Sequence, residues 1–201
     1  FGSDIRVQGN FLGLGADGSS TGANGHGVFV AGAPTLIGGA DPAERNLLSG
    51  NGGDGVRIGG AGSAGSQVLG NLIGTDRSGL LARGNGAAGV AVASTDVVTV
   101  GSADAPNTIA FNARGVVISG FSQQVRTDLN QFRANSSLGI DLLNGSGAAG
   151  VTPNDVDDLD IGSNGLQNFP LLGAVGSVAG MLRVSGSLGV PAASVDAGYV
   201  L

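Results

Sequence analysis

One spacing governs what this chain can fold into. Asn10-Phe11-Leu12-Gly13 returns as Asn71-Leu72-Ile73-Gly74, Asn24-Gly25 as Asn85-Gly86, and Asn46-Leu47-Leu48-Ser49-Gly50-Asn51 as Asn107-Thr108-Ile109-Ala110-Phe111-Asn112, each 61 residues later. Gly27-Val28-Phe29-Val30 and Gly55-Val56-Arg57-Ile58 return as Gly89-Val90-Ala91-Val92 and Gly115-Val116-Val117-Ile118, after 62 and 60 residues. A fixed period marks a repeat architecture, in which each unit buries its apolar face only against its neighbours.

Shorter units lie inside the long one. Gly-led tetrads begin at Gly27, Gly55, Gly89, Gly115 and Gly139, and Asn-led tetrads at Asn46, Asn71, Asn107 and Asn130. Each is a few β-branched or aliphatic residues between Gly, Asn, Asp or Ser, the pattern of a short strand between turns. No segment keeps a 3.6-residue period long enough for a helix. Composition agrees: 40 of 201 residues are Gly, all nine basic residues are Arg, and Glu44 is the one Glu among 15 acidic residues. Such a mixture favours corners over helices. Strands recurring roughly every 25 residues with no helix between them predict a solenoid of stacked coils. An Asn repeated at one corner is expected to hydrogen-bond its equivalents along the stack.

These residues resemble the right-handed parallel β-helix repeats of large secreted and surface-anchored bacterial proteins. The resemblance rests on Asn71-Leu72-Ile73-Gly74-Thr75-Asp76, Gly84-Asn85-Gly86, the run from Asn46 to Val56, and Leu138-Gly139-Ile140-Asp141-Leu142. Val151-Thr152-Pro153-Asn154-Asp155 and Asn164-Gly165-Leu166-Gln167-Asn168-Phe169-Pro170 look like the closing segment of such arrays. The resemblance implies an all-β, right-handed parallel β-helix over residues 1–170. Residues 171–201 would then form capping strands or the start of a following β module. It also implies an extracellular or cell-surface location, as a spacer or adhesin-like segment touching glycan or another surface polymer. Polysaccharide-active lyases, hydrolases or epimerases are the alternative, and a fibre segment of a phage or secretion apparatus is a third possibility. The chain opens at Phe1 without a basic and apolar leader, and is expected to be a processed segment or part of a larger protein.

Charge and patterning narrow the partners. A net charge of −6 argues against nucleic acid, and no apolar run approaches the ~20 residues that cross a bilayer. A stack with open ends invites end-to-end self-association or flanking modules.

Chemistry-bearing residues are few. Gly25-His26-Gly27 resembles one motif of the polygalacturonases, but Asn85-Gly86-Ala87 stands at that corner in the next repeat, so His26 reads as a variable turn residue. Strand alternation aligns Phe29, Arg57, Ala91, Val117 and Asp141 outward on one sheet, and Leu47, Leu72, Thr108 and Gln131 outward on another. Neither column holds the two carboxylates a glycosidase needs, and Arg57 and Asp141 are expected to be solvated. No catalytic residue is assigned and an enzyme is not expected. The acidic run Asn154–Asp160 offers Asp155, Asp157, Asp158 and Asp160 as candidate Ca²⁺ ligands, and Ca²⁺ is the one cofactor considered. Without Cys and with a single His, zinc is improbable.

Overall fold

The computed structural model describes residues 5–20, 22–144, 146–155, 159–178 and 181–187. Its architecture is a parallel β-helix of five coils, each contributing one short strand to each of three parallel sheets. Sheet A stacks β1 (Ile5–Val7), β4 (Thr35–Gly38), β7 (Gln67–Leu69), β10 (Thr99–Val100) and β13 (Arg126–Thr127). Sheet B stacks β2 (Phe11–Leu12), β5 (Leu47–Leu48), β8 (Leu72–Ile73), β11 (Thr108–Ala110) and β14 (Gln131–Arg133). Sheet C stacks β3 (Val28–Val30), β6 (Val56–Gly59), β9 (Ala88–Ala93), β12 (Arg114–Ser119) and β15 (Ile140–Leu142).

Register turns each inward position into a column. Leu12, Leu48, Ile73, Ile109 and Phe132 align in sheet B. In sheet C, Val28, Val56, Val90, Val116 and Ile140 align, as do Val30, Ile58, Val92, Ile118 and Leu142. In sheet A the column is Val7, Ile37, Val68, Val100 and Thr127. These aliphatics form one continuous core, with most members of the middle coils wholly buried. Val, Ile and Leu suit it because a narrow lumen between three sheets takes branched side chains of near-constant volume, each worth about 1.5–3 kcal/mol on burial.

Corners hold the coils in register. One ladder, buried at its three middle members, runs Asn10, Asn46, Asn71, Asn107 and Asn130. In it each Asn donates its backbone N–H and its Nδ2–H to the Oδ1 of the next coil's Asn, at 2.9–3.2 Å. A second ladder runs Asn24, Asn51, Asn85, Asn112 and Asn135 with the same polarity. Nδ2 of each Asn from the second coil onward also reaches a backbone carbonyl of the preceding coil. The side chain thereby satisfies the polar groups that a tight corner would otherwise leave buried and unpaired.

The 61-residue period is two coils of unequal length. Sheet B strands begin at residues 11, 47, 72, 108 and 131, so steps of 36 and 25 alternate and sum to 61 before the last, shorter coil. The extra length sits in two loops, residues 13–20 and 74–83. They close alike: Gly22 N–H donates to Gly13 O, and Arg83 N–H to Gly74 O. Both fold over the outer face of sheet B. Leu47 and Leu72, expected to be exposed, point outward in register but are only 2% and 9% exposed because Leu14 and these loops cover them.

Beyond the last coil, β16 (Leu171–Val178) and β17 (Met181–Ser187) pair antiparallel as a hairpin. The rest of the segment assigned to 171–201, residues 188–201 with 179 and 180, lies outside the described residues.

Candidate functional site

The outer face of sheet C gathers the charged groups that contact one another across coils. Phe29, Arg57, Ala91, Val117 and Asp141 share one register column, as expected from the tetrads. Three residues earlier in each coil stand His26, Asp54, Ala88, Arg114 and Leu138. The two columns together define the surface.

Its first end is built around Asp54, which is 4% exposed. Asp54 Oδ1 accepts the Ala88 N–H at 2.9 Å, so the carboxylate is anchored to the next coil. Its Oδ2 faces Arg57 Nη1 at 3.2 Å and His26 Nδ1 at 3.4 Å. The Asp54 backbone N–H donates to His26 Nδ1 at 3.0 Å, which leaves the proton of a neutral imidazole on Nε2. His26 is thus a positioned side chain rather than a free turn residue. Phe29, 61% exposed, lies beside it with ring centroids 6.3 Å apart. An aromatic face, an Arg held by a buried carboxylate and an imidazole held by the backbone N–H of the same Asp54 make a small amphipathic patch that can hydrogen-bond and stack. Asp54 is the residue that sequence reading missed. Its signal was present in Gly52-Gly53-Asp54-Gly55, one coil from His26, but only the coil register places the two together.

The middle of the face is apolar, with Ala88, Ala91 and Val117 packed against Leu143. The far end corrects an expectation. Asp141 is 1% exposed rather than solvated, because the chain turns back over it after β15. Its Oδ2 lies 3.5 Å from Arg114 Nη1 and its Oδ1 accepts the Gly150 N–H at 3.1 Å. Arg57 is part-exposed and paired, so it too is more committed than a solvated group. The buried carboxylates Asp54 and Asp141 therefore each hold an Arg of their own. They are three strand spacings apart, about 14 Å along the stack, beyond the roughly 5–10 Å that separates the carboxyls of glycosidases.

Of the acidic run, Asp155 and Asp160 lie in the tail after the fifth coil. Asp155 is engaged in its turn: Oδ2 accepts the Leu159 N–H, and the backbone N–H and carbonyl bond the Asn168 side chain. Asp160 is half-buried, and Asp157 and Asp158 lie outside the described residues. Among the described residues, no three His, Cys, Asp or Glu side chains converge as a metal would require. Between this tail and the last coil is a cavity of about 770 Å³, lined by Ile118, Val125, Leu138, Ile140, Leu142 and Leu166 among others.

Two loop carboxylates have perturbed titration. The Ser78 hydroxyl and then the Leu81 and Leu80 amides hold Asp76 down to about 2. The Ser19 and Ser20 amides and the Ser20 hydroxyl lower Asp17 in the other loop. Both carboxylates fold their own loops.

No protein-family model matches the chain, and no curated protein or solved structure is significantly similar to it.

Proposed function

We propose that this chain is a structural and adhesive module, an extracellular or cell-surface β-solenoid that acts as a spacer or surface-interaction segment. The observation that carries the reading is where the polar side chains go. Ten Asn residues are spent on two ladders joining five coils, and the two buried carboxylates of the sheet C face are each paired with an Arg. A surface so committed has little left to turn over a substrate, but it presents a rigid face about 19 Å long across four strand spacings. The patch of Phe29, His26 and Arg57 would then touch a glycan or another surface polymer weakly, through an aromatic face and hydrogen-bond donors.

A second reading, a polysaccharide lyase, hydrolase or epimerase, is supported by one observation: the Asp54 amide takes up His26 Nδ1, which leaves Nε2–H as the donor of the neutral ring next to the Asp54–Arg57 pair. Incubation of the chain with acidic and neutral polysaccharides, followed by chain-length analysis, separates the two. The module reading expects retention on a glycan surface, weakened by Phe29→Ala, with no shortening of any polymer. Cleavage that disappears in Asp54→Asn would establish the enzyme instead.

A further inference from the structure

The charges of the sheet C face cancel in pairs, and we infer that its ligand is a neutral glycan, with Asp54 as the residue that sets this specificity. The inference rests on the module reading and adds to it which polymers the face takes and which it turns away.

The commitment of Asp54 carries the argument. Its carboxylate is buried and both oxygens are taken, Oδ1 by the Ala88 N–H and Oδ2 by Arg57 Nη1 at 3.2 Å. An opposite charge that close cancels most of the field a guanidinium would present to an anion. Arg114 is cancelled in the same way by Asp141, also buried. The other members of the two columns are His26, Phe29, Ala88, Ala91, Val117 and Leu138. The Nδ1 of His26 accepts from the Asp54 amide, so the ring is neutral. A uronate or sulfate polymer would therefore meet no unpaired cation in these columns, on a chain whose net charge is −6.

What the face does offer is hydrogen-bond donors beside an aromatic ring. Part-exposed Arg57 keeps N–H groups beyond the one given to Asp54, and His26 keeps its Nε2–H. Phe29 stands exposed next to them, in register with Arg57. Beyond Arg57 the outward column falls to Ala91 and Val117, where no side chain extends past Cγ. A neutral pyranose answers this arrangement. Its C–H face stacks on Phe29, and its hydroxyl and ring oxygens accept from Arg57 and His26, a role the occupied Asp54 oxygens leave to the ligand. The outward column points sideways from the stack and not along it, so the face does not depend on what stands at either end of the rod.

Removing the Asp54 charge tests the assignment. Asp54→Asn keeps an Oδ1 for the Ala88 N–H and leaves Arg57 a cation without its partner. Asp104→Asn makes the same change in net charge at an exposed position on the corner between sheets A and B, away from the face. The native chain, D54N, D104N and D54N/R57Q are compared at pH 7 by retention on cellulose, chitin and mannan, and on alginate and hyaluronate, from low to high salt. Circular dichroism is the control for folding. The native chain should be retained on a neutral polymer to the same extent at every salt concentration, and on neither acidic polymer. D54N should gain at least about tenfold in affinity for the acidic polymers at low salt and lose the gain at high salt, while D104N and D54N/R57Q gain nothing. Preference of the native chain for an acidic polymer overturns the inference and leaves the module reading standing. So does a folded D54N that gains no more than D104N. If D54N does not fold, the preference of the native chain and its response to salt decide alone. Retention on none of the polymers overturns the glycan contact of the module reading, and the inference with it.

Discussion

Asn71 shows what a single side chain does in this architecture. It is 1% exposed and takes two hydrogen bonds from Asn46, while its Nδ2 gives to Asn107 and to the carbonyls of Ile37 and Leu69. Asn71→Ala would strand donors and acceptors on both neighbouring coils, a cost of about 3–5 kcal/mol. Asn10→Ala at the end of the same ladder, exposed and with a neighbour on one side, should cost about 1 kcal/mol by denaturant unfolding. The corner glycines divide in the same way. Gly74 has φ +87°, and a Cβ there would lie 2.0 Å from the Ala110 carbonyl of the next coil, so Gly74→Ala should cost at least about 3 kcal/mol. Gly60 has φ +83° but open space around the same position, and Gly60→Ala should cost only the backbone term, about 1 kcal/mol. Asp76 fixes a pH dependence. Its folded value of about 2 lies below the ordinary 3.8, so its stabilisation is present above pH ~4 and is lost as pH falls toward 2. Thermal melts of Asp76→Asn against the native chain should differ at pH 6 and converge near pH 2.

At the scale of elements, legibility followed side-chain demand. Sheets B and C could be read from sequence because a leading Asn or Gly is obligatory where a ladder or a close coil-to-coil approach fixes the corner. Sheet A could not. Ile5-Arg6-Val7, Gln67-Val68-Leu69 and Arg126-Thr127 share only an inward aliphatic or Thr at one position, with no common leading residue to announce them. Alternation gives the register of the outward columns but not their environment. Loops 13–20 and 74–83 cover Leu47 and Leu72, and the segment reaching Gly150 covers Asp141, because alternation reports which way a side chain points and not what folds over it. The same limit hid the His26–Asp54–Arg57 group. Its members lie 28 and 3 residues apart, and only the 28-residue step of that coil brings the first two into contact.

At the scale of the molecule, the composition acquires a physical reason. Glycine and asparagine supply corners, small aliphatics supply a lumen of constant width, and Arg57 and Arg114 are paired with the carboxylates buried on the sheet C face. Stability in such a rod is a sum over neighbouring coils, so the central claim is that two continuous Asn ladders lock those coils into one cooperative unit. Residue-resolved amide hydrogen exchange tests it most directly. The backbone N–H groups of Asn46, Asn51, Asn71, Asn85, Asn107 and Asn112, each donated to an Oδ1 in the next coil, should exchange together and only through global unfolding. Exchange of these six amides by separate local openings, no slower than the amides of loop 74–83, would contradict the account.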